Sequence, residues 1–199
     1  MATEKGVRVV AYIRVSHGET QDPERQRESI RTWTAKRDRT GEDSPMRRIN
    51  VNTVELEWDD TDPEGYRAGS RKVSQDIGAA TMAGSVYEVP PGQANCPYHY
   101  ESDEEWLLVL AGTLTVRHPG GEDDVQPGDL VCFPRGPDGA HKLSNNGAET
   151  VRMFIVSTRN LPQVAVYPDS DKIGIWTEDG ADNIMVRREA GVGYYDGEA

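Results

Sequence analysis

The stretch from Tyr87 to Asn145 constrains the fold most, because turn signals cut it into pieces too short to be helices. Pro90-Pro91-Gly92 opens it, and Pro97-Tyr98-His99-Tyr100-Glu101-Ser102-Asp103-Glu104-Glu105-Trp106 forms its centre. An apolar run from Trp106 to Leu110 breaks at Ala111-Gly112. It is followed by the alternating segment Thr113 to Val116, a tight Pro119-Gly120-Gly121 turn, Pro127-Gly128-Asp129, a second apolar run to Phe133, and His141. Short apolar runs bounded by Gly and Pro clusters read as strands, and many of them at close spacing favour a sandwich or barrel. Two of the chain's four histidines mark the ends of this block. His99 and Glu101 are two residues apart, so on a strand they share one face.

This arrangement resembles the cupin superfamily. His99-Tyr100-Glu101, then Ser102-Asp103-Glu104, Glu105 and six residues to Gly112, is similar to the first cupin motif, with Glu101 in place of its second histidine. Gly128, Pro134-Arg135-Gly136, His141 and Asn145 are similar to the second, with a longer gap between Gly136 and His141. The resemblance covers about residues 47–199 and implies an all-β fold, the double-stranded β-helix or jelly-roll barrel. It also implies a metal site, in which His99, Glu105 and His141 match ligand positions and Glu101 stands where the family has histidine. Two imidazoles with one or two carboxylates suit Mn, Fe(II), Ni or Zn without choosing among them, and leave a coordination position open.

The residues alone leave alternatives. His99 between two tyrosines reads equally as a hydrogen-bonded side chain of a barrel mouth, and Ser102-Asp103-Glu104-Glu105 offers several interchangeable acids. Tyr98, Tyr100 and Trp106 suggest aromatic walls, although alternation turns them away from His99, Glu101, Glu105, Leu107 and Val109. Cys96 reads as a small buried residue or an unusual ligand, and Arg135 and Lys142 as partners for an anionic substrate or for surface acids.

The first fifty residues differ from the rest. They hold 11 Lys+Arg against 8 Asp+Glu, a net of +3, leaving 11 against 26, a net of -15, in the remainder. An acidic body repels a phosphate backbone, which disfavours a nucleic-acid partner. Val7 to Ser16 reads as a strand, and Asp22-Pro23-Glu24 as the start of a helix running to Arg39. "AYIRVS" followed by "PERQRESI" is similar to the start of a serine recombinase (resolvase) catalytic domain over about residues 7–39. That resemblance implies a phosphate-attacking serine at Ser16 assisted by Arg14. One strand and one helix lack the further cations and acids that such chemistry needs. The expected organisation is therefore a short strand-helix appendage and linker over 1–45, truncated relative to the resolvase domain, followed by a cupin domain over 46–199.

Hydrophobic residues at 36% and a mean hydropathy of -0.69 fit a polar-surfaced protein. The run Val9 to Val15 is too short to span a bilayer, and no cleavable leader pattern is present. With two cysteines, Cys96 and Cys132, the reading is free thiols in a reducing cytoplasm, with no membrane association. The apolar segments Val151–Val156 and Leu161–Tyr167 suggest edge-to-edge pairing into a homodimer. The expected function is a cupin-domain protein that binds a divalent metal ion and a small polar ligand. The alternatives are a non-catalytic ligand-binding cupin and recombinase-type DNA strand exchange through Ser16.

Overall fold

The computed structural model describes residues 46–198, which carry twelve strands and three single-turn 3₁₀ helices. The recombinase-like segment, with Arg14 and Ser16, lies outside the described residues. The strands are β1 (Gly69–Lys72), β2 (Met82–Val89), β3 (Tyr100–Glu101), β4 (Glu105–Ala111), β5 (Leu114–His118) and β6 (Gly121–Val125). They continue with β7 (Leu130–Phe133), β8 (Lys142–Ser144), β9 (Val151–Thr158), β10 (Gln163–Tyr167), β11 (Lys172–Trp176) and β12 (Ile184–Arg187). Among the described residues no helix is long and apolar enough to cross a membrane.

Antiparallel pairing assembles three sheets: a five-stranded β1-β2-β9-β4-β7, a four-stranded β12-β11-β10-β3 and a three-stranded β6-β5-β8. His99 and His141 join the two smaller ones by exchanging backbone hydrogen bonds, His99 N–H to His141 O at 3.0 Å and His141 N–H to His99 O at 2.8 Å. The all-β arrangement fits a jelly roll. Strand alternation decides the interior: β9 buries Val151, Met153, Ile155 and Ser157 while the residues between them reach outward. Val89, Leu107, Val109, Leu114, Val116, Phe133 and Leu143 complete one apolar core with Val151, Met153 and Ile155. Burying each such side chain contributes about 1.5–3 kcal/mol, so this core is the main stabilising term. The turn from β4 to β5 needs Gly112, whose φ is 76° and whose missing Cβ would lie 2.9 Å from Thr150 O.

Residues 51–58 form a turn and a single bridge, Glu57 to Ser70. The region after Pro168 carries β11 and β12, with Gly174 lying beneath the Trp176 ring where a Cβ would clash. One expectation needs correction: β9 and β10 are interior strands paired on both sides, so neither offers the free edge for dimer pairing that the sequence suggested.

Candidate metal centre

Between the sheets lies a cavity of about 370 Å³ lined by His99, Glu101, Glu105 and His141 together with Lys72, Tyr87, Asn95, Cys96, Gln163, Tyr167 and Trp176. The acids fall into place through the register. Glu101 ends β3 and Glu105 begins β4, and the bend between them turns Asp103 into a separate pocket. There its carboxylate accepts hydrogen bonds from the Thr158 hydroxyl (2.6 Å), the Asn160 side-chain amide and the Asn160 backbone N–H (3.4 Å). Glu104 points outward and accepts from Trp106 Nε1 at 2.9 Å. Of the four neighbouring acids, only Glu101 and Glu105 face the cavity.

His99, Glu105 and His141 each offer a donor atom, and these atoms lie within 4.8 Å of one another. His141 Nε2 is 3.5 Å from Glu105 Oε2, and His99 Nε2 is 3.5 Å from Glu101 Oε1. Both imidazoles are oriented from behind. His99 Nδ1 lies 3.0 Å from Pro97 O and His141 Nδ1 lies 2.9 Å from Gly139 O. A carbonyl can only accept, so each Nδ1 carries the proton and each Nε2 is directed at the carboxylates. This is the outer-shell pattern that fixes ligating histidines, and in their neutral forms the donor set suits a divalent ion. Gly139 is structurally required for it, since a Cβ there would lie 1.8 Å from Pro134 O. Glu101 stands beside the three-residue set, with its other oxygen accepting a hydrogen bond from Gln163 Nε2.

The protonation pattern follows from crowding and burial. Burial, and then the adjacent Glu101 carboxylate, push Glu105 up to about 7. His141 is pushed down to about 3, first by burial and then by positive charge on His99. Burial also opposes charge on His99, but contact with Cys96 and Glu101 outweighs it and pushes the imidazole up to about 11.

Residues 85–157 match the cupin domain family. The chain's structure is similar to that of a proposed sugar phosphate isomerase from Acidithiobacillus ferrooxidans, with a TM-score of 0.66, 22% identity, and coverage of 76% of this chain and 98% of that one. A sugar phosphate isomerase of the cupin superfamily from Silicibacter pomeroyi gives 0.64, 21%, 75% and 98% for the same measures. In sequence, 80 residues are 29% identical to the bifunctional lysine-specific demethylase and histidyl-hydroxylase NO66 of Branchiostoma floridae. That alignment covers 37% of this chain and only 13% of the longer relative.

Other side chains of this cavity were not legible in the motifs. The aromatic walls are Tyr87, Tyr167 and Trp176, with Tyr167 stacked on His99 at 5.7 Å. The expected candidates lie elsewhere: Trp106 is exposed on the outer face of β4, and the Tyr98 ring lies under the Arg117 guanidinium at 3.9 Å. Arg135 and Lys142 are not among the cavity residues, and Lys72 is the cation that is. Asn145 is structural: its amide donates to Val89 O (2.7 Å) and Glu149 O (2.8 Å) and accepts from Gly147 N–H (3.0 Å). Cys96 Sγ stands 3.6 Å from His99 Nδ1, on the side of the ring away from the carboxylates.

Proposed function

We propose that the cupin domain holds one divalent metal ion through His99 Nε2, His141 Nε2 and a carboxylate oxygen of Glu105, and receives a small polar molecule in the rest of the cavity. The observation that carries this reading is the holding of both Nδ1 atoms on backbone carbonyls, which directs both Nε2 atoms inward, His141 toward Glu105 and His99 toward Glu101, with donor atoms of His99, Glu105 and His141 within 4.8 Å of one another. An ion held there would supply Lewis-acid polarisation of a ligand oxygen. Glu101, held by Gln163, is placed to accept a hydrogen bond or a proton from a ligand group beside it. Tyr87, Tyr167 and Trp176 give the molecule apolar faces, while Asn95 and Gln163 offer hydrogen bonds. A hydroxylated molecule of carbohydrate or organic-acid size matches that mixture.

The test is elemental analysis of protein purified without a metal-affinity tag or added metal, followed by titration of the stripped protein with Mn, Fe(II), Ni and Zn. One ion per chain, lost in His141→Ala, is the expected result. Stripped protein that takes up none of the four would end this reading.

A further inference from the structure

The cavity has two chemically different ends. One is the histidine and carboxylate cluster; the other is Lys72, at the end of β1. Register places them on one wall: Lys72 pairs with Ser85, Ser85 with Ile155, and Ile155 with Leu107. The neighbouring row runs from Ala83 through Ser157 to Glu105. Directly paired residues share a face, so Lys72 and Glu105 lie on the same side of the five-stranded sheet, three strands apart. Three strand spacings of about 4.8 Å, with a two-residue offset of about 6.8 Å along the strands, put their backbones roughly 16 Å apart. Both side chains line the cavity, which shortens that span to the length of a small molecule.

Among the described residues, Lys72 is the only lysine or arginine that lines the cavity. Its neighbour Arg71 is occupied by Glu57 and Asp76 at 2.8 and 3.2 Å, whereas among the described residues no carboxylate forms an ion pair with Lys72. Charge then decides what this end can accept. Glu101 and Glu105 offset a divalent ion, and Lys72 adds one positive charge to a cavity in an otherwise acidic body. Local positive potential of this kind recruits a negative group.

We propose that Lys72 is a specificity-determining residue that receives an anionic group, a phosphate or carboxylate, on the far end of a small hydroxylated substrate whose other end lies at the His99–Glu105–His141 cluster. This rests on the cavity being the ligand site. The anion meets the Lys72 ammonium while the hydroxylated portion lies along Tyr87, Tyr167 and Trp176. Lysine serves phosphate as a point charge, without the bidentate geometry that arginine imposes, so either oxyanion satisfies it.

The experiment is ligand-observed NMR titration of the full chain with three matched probes: ribose, ribose 5-phosphate and ribonate. At least one anionic probe should bind about tenfold more tightly than ribose, and the phosphate and carboxylate arms show which oxyanion is preferred. Lys72→Met should remove that preference, while Lys72→Arg should retain it. Equal binding of all three probes, or a preference that survives Lys72→Met, overturns the assignment. Failure of every probe to bind overturns it together with the reading of the cavity. Elemental analysis of the same samples separates the metal: a Lys72-dependent preference in protein that takes up no ion sustains this inference and refutes only the metal site.

Discussion

Asp103 is buried and Glu105, two residues on, is nearly so, yet their surroundings are opposite. Asp103 receives three donated hydrogen bonds from Thr158 and Asn160 and needs nothing more. Glu105 meets Glu101, whose charge opposes its own, and a His141 nitrogen at 3.5 Å, longer than a charge-assisted hydrogen bond. A buried acid whose neighbours are all donors stabilises the fold. One crowded by another acid is charged only at a cost that an added cation would offset. Burial alone does not separate the two cases, whereas the sign and direction of the neighbouring groups do.

The largest way to test that contrast is Glu105→Gln. It should lower ion affinity by more than about 1,000-fold, since a charged ligand is lost from a three-donor site. The ion-free variant should nevertheless melt at or above the wild-type temperature at pH 8. The folded pKa of about 7 lies above the ordinary carboxylate value, so the charged form is disfavoured by folding and its removal brings relief above pH 7. Isothermal titration and calorimetric melting check the two halves, and a lower ion-free melting temperature would merge the two acids into one structural class. Asp103→Ala should do the reverse. It should cost about 3 kcal/mol in a denaturant titration, because it removes hydrogen bonds to a charge and leaves Thr158 and Asn160 unpaired, while ion affinity stays within about threefold.

The sequence showed one side of this contrast better than the other. Period two placed His99 and Glu101 on a common face, and motif spacing singled out Glu105 and His141. These positions lie on or beside strands, where alternation persists. Asp103 sits in the two-residue bend between β3 and β4, where phase is lost, so its separation from Glu105 required coordinates. Lys72, Gln163, Tyr167 and Trp176 come from three other strands, and nothing in their local pattern reports a cavity assembled by long-range pairing. The fold class was legible from the turn-punctuated strands. The acidic β6, Gly121–Val125, was not, because its Glu122-Asp123-Asp124 core has poor strand propensity and is held by pairing with β5.

Two smaller effects sharpen the comparison. At neutral pH the His99 imidazole, with its pKa near 11, must lose a proton to bind an ion, whereas His141, near 3, is already neutral. Glu105 adds a second proton only below about 7. Log affinity plotted against pH should therefore rise with a slope of about 2 below pH 7 and about 1 above it. Competition titrations between pH 6 and 8.5 would show the break, and a single slope through that range would contradict the coupling of Glu105 to Glu101. The smallest effect expected is from Glu101→His. A third imidazole in place of the Gln163-bound carboxylate should raise affinity for Ni or Zn about fivefold, read by the same competition titration.

The backbone seam between His99 and His141 has a kinetic consequence. The residues that bring imidazoles to the cavity are also the ones whose main chains join the two smaller sheets, across more than forty residues of sequence. A chain that has zipped only its local hairpins has neither the seam nor the donor set, because such non-local contacts form after loop-closure entropy has been overcome. Ion uptake during refolding would then time the last closure of the barrel. A bound ion, acting on contacts absent from the folding transition state, would slow unfolding while leaving the folding rate nearly unchanged.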